Sequence, residues 1–382
     1  MTQKRRGSGE GSIRQRADGR WEGRIEAGWS ATGARRRASV FGRTRLEVVG
    51  KLRQLQAQRA AGLPVVDGRT TVGSYLNRWL ETVQPRVRPA THVRYKGIVT
   101  GQLVPSIGRI RLAALQPQQV AGMLAQLQRD GLAPRTVHHA RAVLRTALSD
   151  AERLGVVTRN VAKLTEAPRV PSPAPRVLSP AEARAVLEAM SDPELRRLAT
   201  VAVNTGLRQG ELLGLRWSDV DLRAPELHVT MALQRLGGET RLVETKSRTS
   251  RRTVPLTADA VEALSQERRV QLEARLAAGG RWTEPIPGLV FTTATGAPRS
   301  PSAVTHQFAE SLAAAGIPHL RWHDLRAAFG GLMLASGSDL ATVSSLLGHS
   351  SIAITASTYA GVLPSLKKDA AQRFERLMRG PV

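Results

Sequence analysis

The chain has 382 residues, 56 Lys and Arg against 31 Asp and Glu for a net charge of +25, and no cysteine. That length exceeds one ordinary domain, the missing thiols exclude disulfides and thiolate metal centres, and no apolar run approaches the roughly 18 residues of a membrane span. A surface this positive repels itself and is relieved by a polyanion, so the expected partner is nucleic acid, bound by a cytoplasmic protein whose charged start, MTQKRRGSGEGS, lacks a signal peptide's apolar stretch.

Residues 1–65 carry fifteen Lys and Arg against five acids. In SIRQRADGRWEGRI two alternating runs flank Asp18-Gly19, residues that tolerate the positive φ of a hairpin turn. RRRASVFG supplies a third run, with Arg35, Arg36 and Arg37 as candidate DNA contacts. Thr44-Arg45-Leu46-Glu47 reads as a capping box opening a helix whose apolar stripe is Leu46, Val49, Leu52 and Leu55. The expectation is a three-stranded sheet backed by one helix; a solvated basic tail is the alternative.

From 70 to 166 the period is helical. Val72, Tyr75, Leu76, Trp79 and Leu80 form one stripe, and RPATHVRYKGIV, LQPQQVAGMLAQLQRDG and APRTVHHARAVLRTALSDAERLG give three more helices. Pro89, Pro117 and Pro134 sit near helix starts, and Gly131 and Gly155 follow helix ends. The last helix has Val137, Ala140, Val143, Leu144 and Leu148 on its apolar side. Its remaining surface carries Arg135, His138, His139, Arg141 and Arg145, for DNA contact or for solvation.

Residues 167–178 lie in a proline-rich, semi-extended linker. Beyond it, 179–382 opens on the capping box Ser179-Pro180-Ala181-Glu182 and is mostly helical, with a strand pair around Gly237-Gly238. The expected fold is therefore mainly α with small β-sheets.

Four segments of this last region suit a phosphate. NTGLRQGELLGLRW places Arg208 beside a helix start, where forked donors and a positive dipole end meet. ETKSRTSRRTVPL holds Lys246, one of only seven lysines in an Arg-dominated chain, near a β-turn. RWHDLRAAFG puts His323 and Arg326 three apart on one helix face, with Leu325, Ala328 and Phe329 directed to a core. LLGHSSIAITASTYAG carries His349 and then Tyr359, among residues too small to form a core around an aromatic ring. Taken singly, each has a plain explanation as a surface or core residue.

In this order the segments resemble the tyrosine recombinases, or phage integrases: TGLRQGEL with Arg208, TKSRTSRRTVPL with Lys246, HDLR with His323 and Arg326, LGHSS with His349, and STYAGV with Tyr359. The likeness spans 179 onward. It implies three domains: an arm-type DNA-binding module over 1–65, a helical core-type DNA-binding domain over 70–166, and a catalytic domain over 179–382. Ala327-Ala328 and Gly361 depart from the common pattern at positions outside its catalytic six.

The resemblance implies an integrase that cuts and rejoins double-stranded DNA at specific attachment sites, without metal or other cofactor. Tyr359 would attack the phosphodiester, giving a 3′-phosphotyrosyl link and a free 5′-hydroxyl. His323 would be the base, Arg208 and Arg326 the clamps on the non-bridging oxygens, His349 a further hydrogen bond, and Lys246 the acid for the leaving oxygen. A homotetramer on DNA is implied, and a directionality factor would be an additional partner. As a nucleophile, Tyr359 is expected on an adjustable segment, outside a packed core. A resolvase or a type IB topoisomerase of the same chemistry, and a non-catalytic DNA-binding regulator, are the alternatives.

Overall fold

Asp18-Gly19 turns the chain: Gly19 adopts φ +78°, and Arg16 donates its N–H to the Arg20 carbonyl at 2.8 Å. The flanking runs become β1 (Ser12–Gln15) and β2 (Trp21–Trp29), and β3 (Arg35–Gly42) completes an antiparallel sheet in that order. Ile25 and Ala38 are cross-strand partners that pack with Val48 and Leu52 of α1 (Arg45–Ala60). Val48 and Leu52 are four apart and cover the sheet between them, so Leu46 of the expected stripe is left 82% exposed. Thr44 Oγ1 accepts the Glu47 N–H at 3.2 Å, while the Glu47 carboxylate reaches back one residue further than in a capping box, to the Arg43 N–H at 2.9 Å. This computed structural model describes residues 12–29, 35–60, 69–170, 176–245, 250–360, 371, 374–375 and 378–379.

The chain divides into two compact units, Met1–Pro171 and Ser172–Val382. In the first, the stripe of α2 (Val72–Val83) buries all five expected residues. Prolines begin α3 (Pro89–Ile98), α5 (Pro117–Arg129) and α6 (Pro134–Arg153), where a missing N–H costs nothing. Between them a π-turn, Val99–Leu103, leads α3 into the short α4 (Val104–Ile107). Tyr75 donates to the Ala147 carbonyl at 2.7 Å and Trp79 Nε1 to Asp150 at 2.9 Å, fastening α2 to α6. Arg141, grouped with the free surface of α6, instead donates to Thr165 Oγ1 and its carbonyl.

In the second unit Ser179 and Glu182 close the expected box, at 3.2 and 2.8 Å, and start α7 (Pro180–Glu188). Then follow α8 (Pro193–Thr205), α9 (Gln209–Leu213), β4 (Val220–Asp221), β5 (Glu226–Val229), β6 (Met231–Leu236), β7 (Glu239–Glu244) and β8 (Arg252–Pro255). The helices α10 (Ala258–Ala278), α11 (Pro301–Ala314), α12 (Trp322–Ala335), α13 (Leu340–Leu347) and α14 (Ile352–Thr358) complete it. The single strand pair read from the sequence is two sheets. Leu227 and Val229 bury their side chains in the core, pairing β5 with β4 and β8, while β6 turns at Gly237-Gly238 to pair with β7. Residues 361–370 and the linker residues 171–175 lie outside the described residues.

Candidate active site

The end of α8 sets the first part of the site. Gly206 takes φ +62°, and a Cβ there would lie 2.4 Å from Phe329 Cδ1. Glycine thus turns the chain and lets α12 approach at one point. The Gly206 carbonyl accepts Arg326 Nη1 at 2.6 Å. Two residues on, Arg208 lays Nη1 against Glu211 Oε1 at 2.6 Å, and Glu211 Oε2 accepts the Arg208 backbone N–H at 3.0 Å.

The C-terminal end of α13 collects the rest. Its last carbonyls lack helical partners and carry the negative end of the helix dipole, so cations are favoured there. Three guanidinium groups take three successive carbonyls: Arg252 bonds Leu346, Arg326 bonds Leu347, and Arg208 bonds Gly348. Arg252 opens β8 and also pairs with Glu211 Oε2 at 3.0 Å. Arg326 is 4% exposed and the Arg252 side chain 5%. Among the described residues Glu211 is the only carboxylate paired with any of the three. Burial, then repulsion from Arg208 and Arg252, brings the Arg326 pKa down to about 9. The result is a wall with surplus positive charge, buried at Arg252 and Arg326 and open to solvent at Arg208.

Two imidazoles face that charge. Burial, followed by Arg326, Arg208 and Arg252, pushes His349 down to about 4, so the ring is neutral at any physiological pH. Its Nδ1 lies 2.8 Å from Thr355 Oγ1. His323 keeps an open edge to solvent, yet the protein around it and the nearby Arg326 hold its pKa below the usual imidazole value. The ring is a neutral base candidate.

Tyr359 corrects the expectation of an open, adjustable nucleophile. It is 1% exposed and packs with Phe329, Leu334, Val343 and Leu347. Its apolar partners come from α12 and α13, while Ser357 and Ala360 beside it face solvent. Gly330 makes the seat: a Cβ there would lie 2.0 Å from the Tyr359 hydroxyl oxygen. Burial lifts the phenol pKa to about 12 against a smaller opposing pull from Arg326. Since His323, Arg326 and Gly330 follow one another at spacings of three and four on α12, imidazole, guanidinium and phenol seat share one helix face.

The structure thus brings Arg208, His323, Arg326, His349 and Tyr359 to one place. Lys246 lies outside the described residues, as do the side chains of Arg35 and Arg36. Arg37 lines a basic depression with Arg14, Arg16, Arg24 and Arg69, around Glu22, which bridges Arg14 and Arg24 at 2.8 Å each. Arg135 is exposed in the first turn of α6. Sequence reading passed over Glu211, Arg252 and Thr355. Glu211 had a signal in its i, i+3 spacing from Arg208; Arg252, one of two adjacent arginines, had none.

The chain is similar to known proteins along most of its length. The Phage integrase family profile matches residues 176–365, and that of the phage integrase N-terminal SAM-like domain matches 71–127. An integrase of Streptomyces ambofaciens is 31% identical over 398 residues, covering 99% of each chain. A XerC-like tyrosine recombinase of Caldanaerobacter subterraneus is 29% identical, covering 89% of this chain and 92% of its own. Among solved structures, the Tn1549 transposon integrase in complex with transposon right-end DNA superposes with a TM-score of 0.67 at 16% identity, over 79% of this chain and 99% of that one. A lambda integrase tetramer bound to a Holliday junction gives 0.57 at 21% identity, over 89% and 95%.

Proposed function

This chain belongs to the phage integrase family of tyrosine recombinases, which break and rejoin DNA strands at specific sites, and from that premise we propose which of its residues carry the reaction. The observation that carries the assignment is the row of three guanidinium groups on the Leu346, Leu347 and Gly348 carbonyls, balanced by one carboxylate. Such a wall is short of negative charge, and a DNA phosphate supplies it. Arg208 and Arg326 hold the non-bridging oxygens and stabilise the pentacoordinate transition state, and His349 adds a neutral N–H donor.

Tyr359 forms the new bond to phosphorus as the 5′-oxygen leaves, and the 5′-hydroxyl of another strand reverses the step. The covalent link conserves the bond's energy. His323 takes the phenolic proton, and Lys246 returns one to the leaving oxygen, which an arginine cannot do because it keeps its proton. With the phenol pKa at about 12 in its buried seat, the form described is a resting one, and the tyrosine must leave the Gly330 notch to attack. That makes cleavage conditional on a movement of α14.

We assign 1–65 to arm-type DNA binding, 70–166 to core-type DNA binding and 179–382 to catalysis. The open sheet face with Arg14, Arg24 and Arg37 supports the first of these. Recombination of two duplexes requires four nucleophiles, and the lambda integrase structure is a tetramer on a Holliday junction, so we propose the same assembly. The relatives named above are bacterial, and that origin supports a reaction on element and chromosomal DNA in the cytoplasm. A directionality factor would be a separate chain.

Tyr359→Phe tests the assignment: the variant is expected to shift a target duplex in a gel while forming no protein–DNA adduct that survives detergent. An adduct formed by this variant removes Tyr359 from the mechanism.

A further inference from the structure

Thr355 takes no part in the reaction as assigned to Arg208, Lys246, His323, Arg326, His349 and Tyr359. It lies in α14, four residues before Tyr359, and is 0% exposed. Threonine hydroxyls in this chain's helices ordinarily donate to the carbonyl four residues back, as Thr205 does to Val201 at 2.6 Å and Thr358 to Ile354 at 2.7 Å. Thr355 does not. Its hydroxyl lies 2.8 Å from His349 Nδ1 and makes no other hydrogen bond among the described residues.

We propose that Thr355 is a positioning residue for strand cleavage: its hydroxyl donates to Nδ1 of His349, leaving Nε2–H as the ring's donor, and ties that donor to the helix that carries Tyr359. The inference rests on the assignments of His349 and Tyr359 given above.

Proton accounting sets the direction of the bond. Thr355 Oγ1 has one proton to give. If Nδ1–H donated to Oγ1, that proton would be left buried without an acceptor, which native structures avoid. If Oγ1–H donates to Nδ1, both groups are satisfied and the imidazole carries its proton on Nε2. Burial and the three guanidinium groups keep the ring neutral, because a second proton would add a fourth cation to the wall, and the bond to Thr355 then decides which nitrogen carries the single proton. A phosphate oxygen needs a donor, and this tautomer keeps one at the ring position that Thr355 does not use.

The backbone completes the link. The Tyr359 N–H donates to the Thr355 carbonyl at 3.0 Å, so one residue holds the imidazole by its side chain and the nucleophile by its main chain. A movement of α14 that carries the phenol from its seat therefore also pulls on His349. Donor and nucleophile are set by the same helix.

Two measurements test this. Nitrogen-resolved NMR of the His349 ring in the full-length DNA-free protein is expected to show a protonated Nε2 and a hydrogen-bonded, unprotonated Nδ1. A protonated Nδ1 overturns the proposal, whatever the variants do. The second measurement uses a pool of nicked duplexes of randomised sequence, from which the species trapped covalently by the wild-type protein is recovered and then given to every variant. Thr355→Val keeps the volume and removes the donor; its adduct-forming rate is expected to fall on the order of tenfold to a hundredfold, the scale seen for partners that orient metal-bound histidines. Thr355→Ser keeps the hydroxyl and is expected to restore most of the rate, which a purely packing role would not allow. A Thr355→Val rate equal to wild type, or a Thr355→Ser rate as low as that of Thr355→Val, overturns the proposal while the assignment of Tyr359 stands. Adduct formation by Tyr359→Phe defeats both.

Discussion

The second unit contains two clusters of arginines, largely buried, that serve opposite ends. Between α8, α10 and α11, Arg197 pairs with Glu267 at 2.7 Å and Arg299 lies 2.8 Å from Glu194, an ion pair without an aligned hydrogen bond. Two guanidinium groups meet two carboxylates there. At the end of α13, Arg208, Arg252 and Arg326 meet Glu211 alone, and backbone carbonyls take part of the remaining donors. The carboxylates register the difference. Burial raises both Glu267 and Glu211, but for Glu267 burial prevails over Arg197, whereas Arg252 and Arg208 together bring Glu211 below its ordinary value. The balanced cluster is complete as it stands; the other lacks an anion.

Substitution should separate the two. Arg208→Gln at the unbalanced cluster is expected to slow strand cleavage a hundred- to a thousandfold, about 3–4 kcal/mol of barrier, without lowering the thermal midpoint. Single-turnover cleavage and calorimetry on the same sample check it, and a large stability loss with intact cleavage would reverse the roles assigned to the clusters. Arg197→Met leaves Glu267 buried and unpaired, so it is expected to cost about 3 kcal/mol in denaturant unfolding. The double variant Arg197→Met, Glu267→Leu should recover most of that loss and cleave at the wild-type rate. If the double variant stays as unstable as the single one, the pair holds more than each other's charge.

Sequence spacing revealed one side of this comparison better than the other. The stripe of α2 and the proline starts of α3, α5 and α6 were legible because their causes lie within a few residues. Arg208, His323, Arg326, His349 and Tyr359 were legible as a series of short segments. What spacing could not convey was the acceptor set: Arg252 reaches a carbonyl 94 positions away and a carboxylate 41 positions away, and carbonyls have no sequence signature. The seat of Tyr359 escaped for a related reason. It is made by the missing side chain of Gly330 and by apolar groups from two other helices, so Ala356, Ser357 and Thr358 beside the tyrosine said nothing of its burial.

Filling that notch gives a smaller effect than breaking either cluster. Gly330→Ala would place a methyl group 2.0 Å from the present position of the Tyr359 hydroxyl, so the phenol must leave or α12 must shift. The expected cost is about 1–3 kcal/mol, the range for an overpacked core. The phenol then regains water, and its pKa should fall from about 12 toward 10, because desolvation is what raised it. The chain has three tyrosines, and ultraviolet titration of the variant against Tyr359→Phe isolates the one in question. An unchanged titration would mean that Gly330 does not confine the phenol.

The smallest expected effect reports most directly on the missing anion. Inorganic phosphate should bind the wall formed by Arg208, Arg252 and Arg326 in the protein alone, and at ten times its dissociation constant it would add about 1.4 kcal/mol of stability. Phosphate also strengthens burial in any protein by being excluded from its surface, so the shift in midpoint must be compared with Arg208→Gln at equal ionic strength. The general effect acts on both proteins alike, and only the site-bound fraction disappears in the variant. Arg197→Met, Glu267→Leu removes a balanced pair and should keep the full shift. A shift that survives Arg208→Gln undiminished would show the surplus charge to be satisfied within the protein itself, and the contrast between the two clusters would then be one of geometry alone.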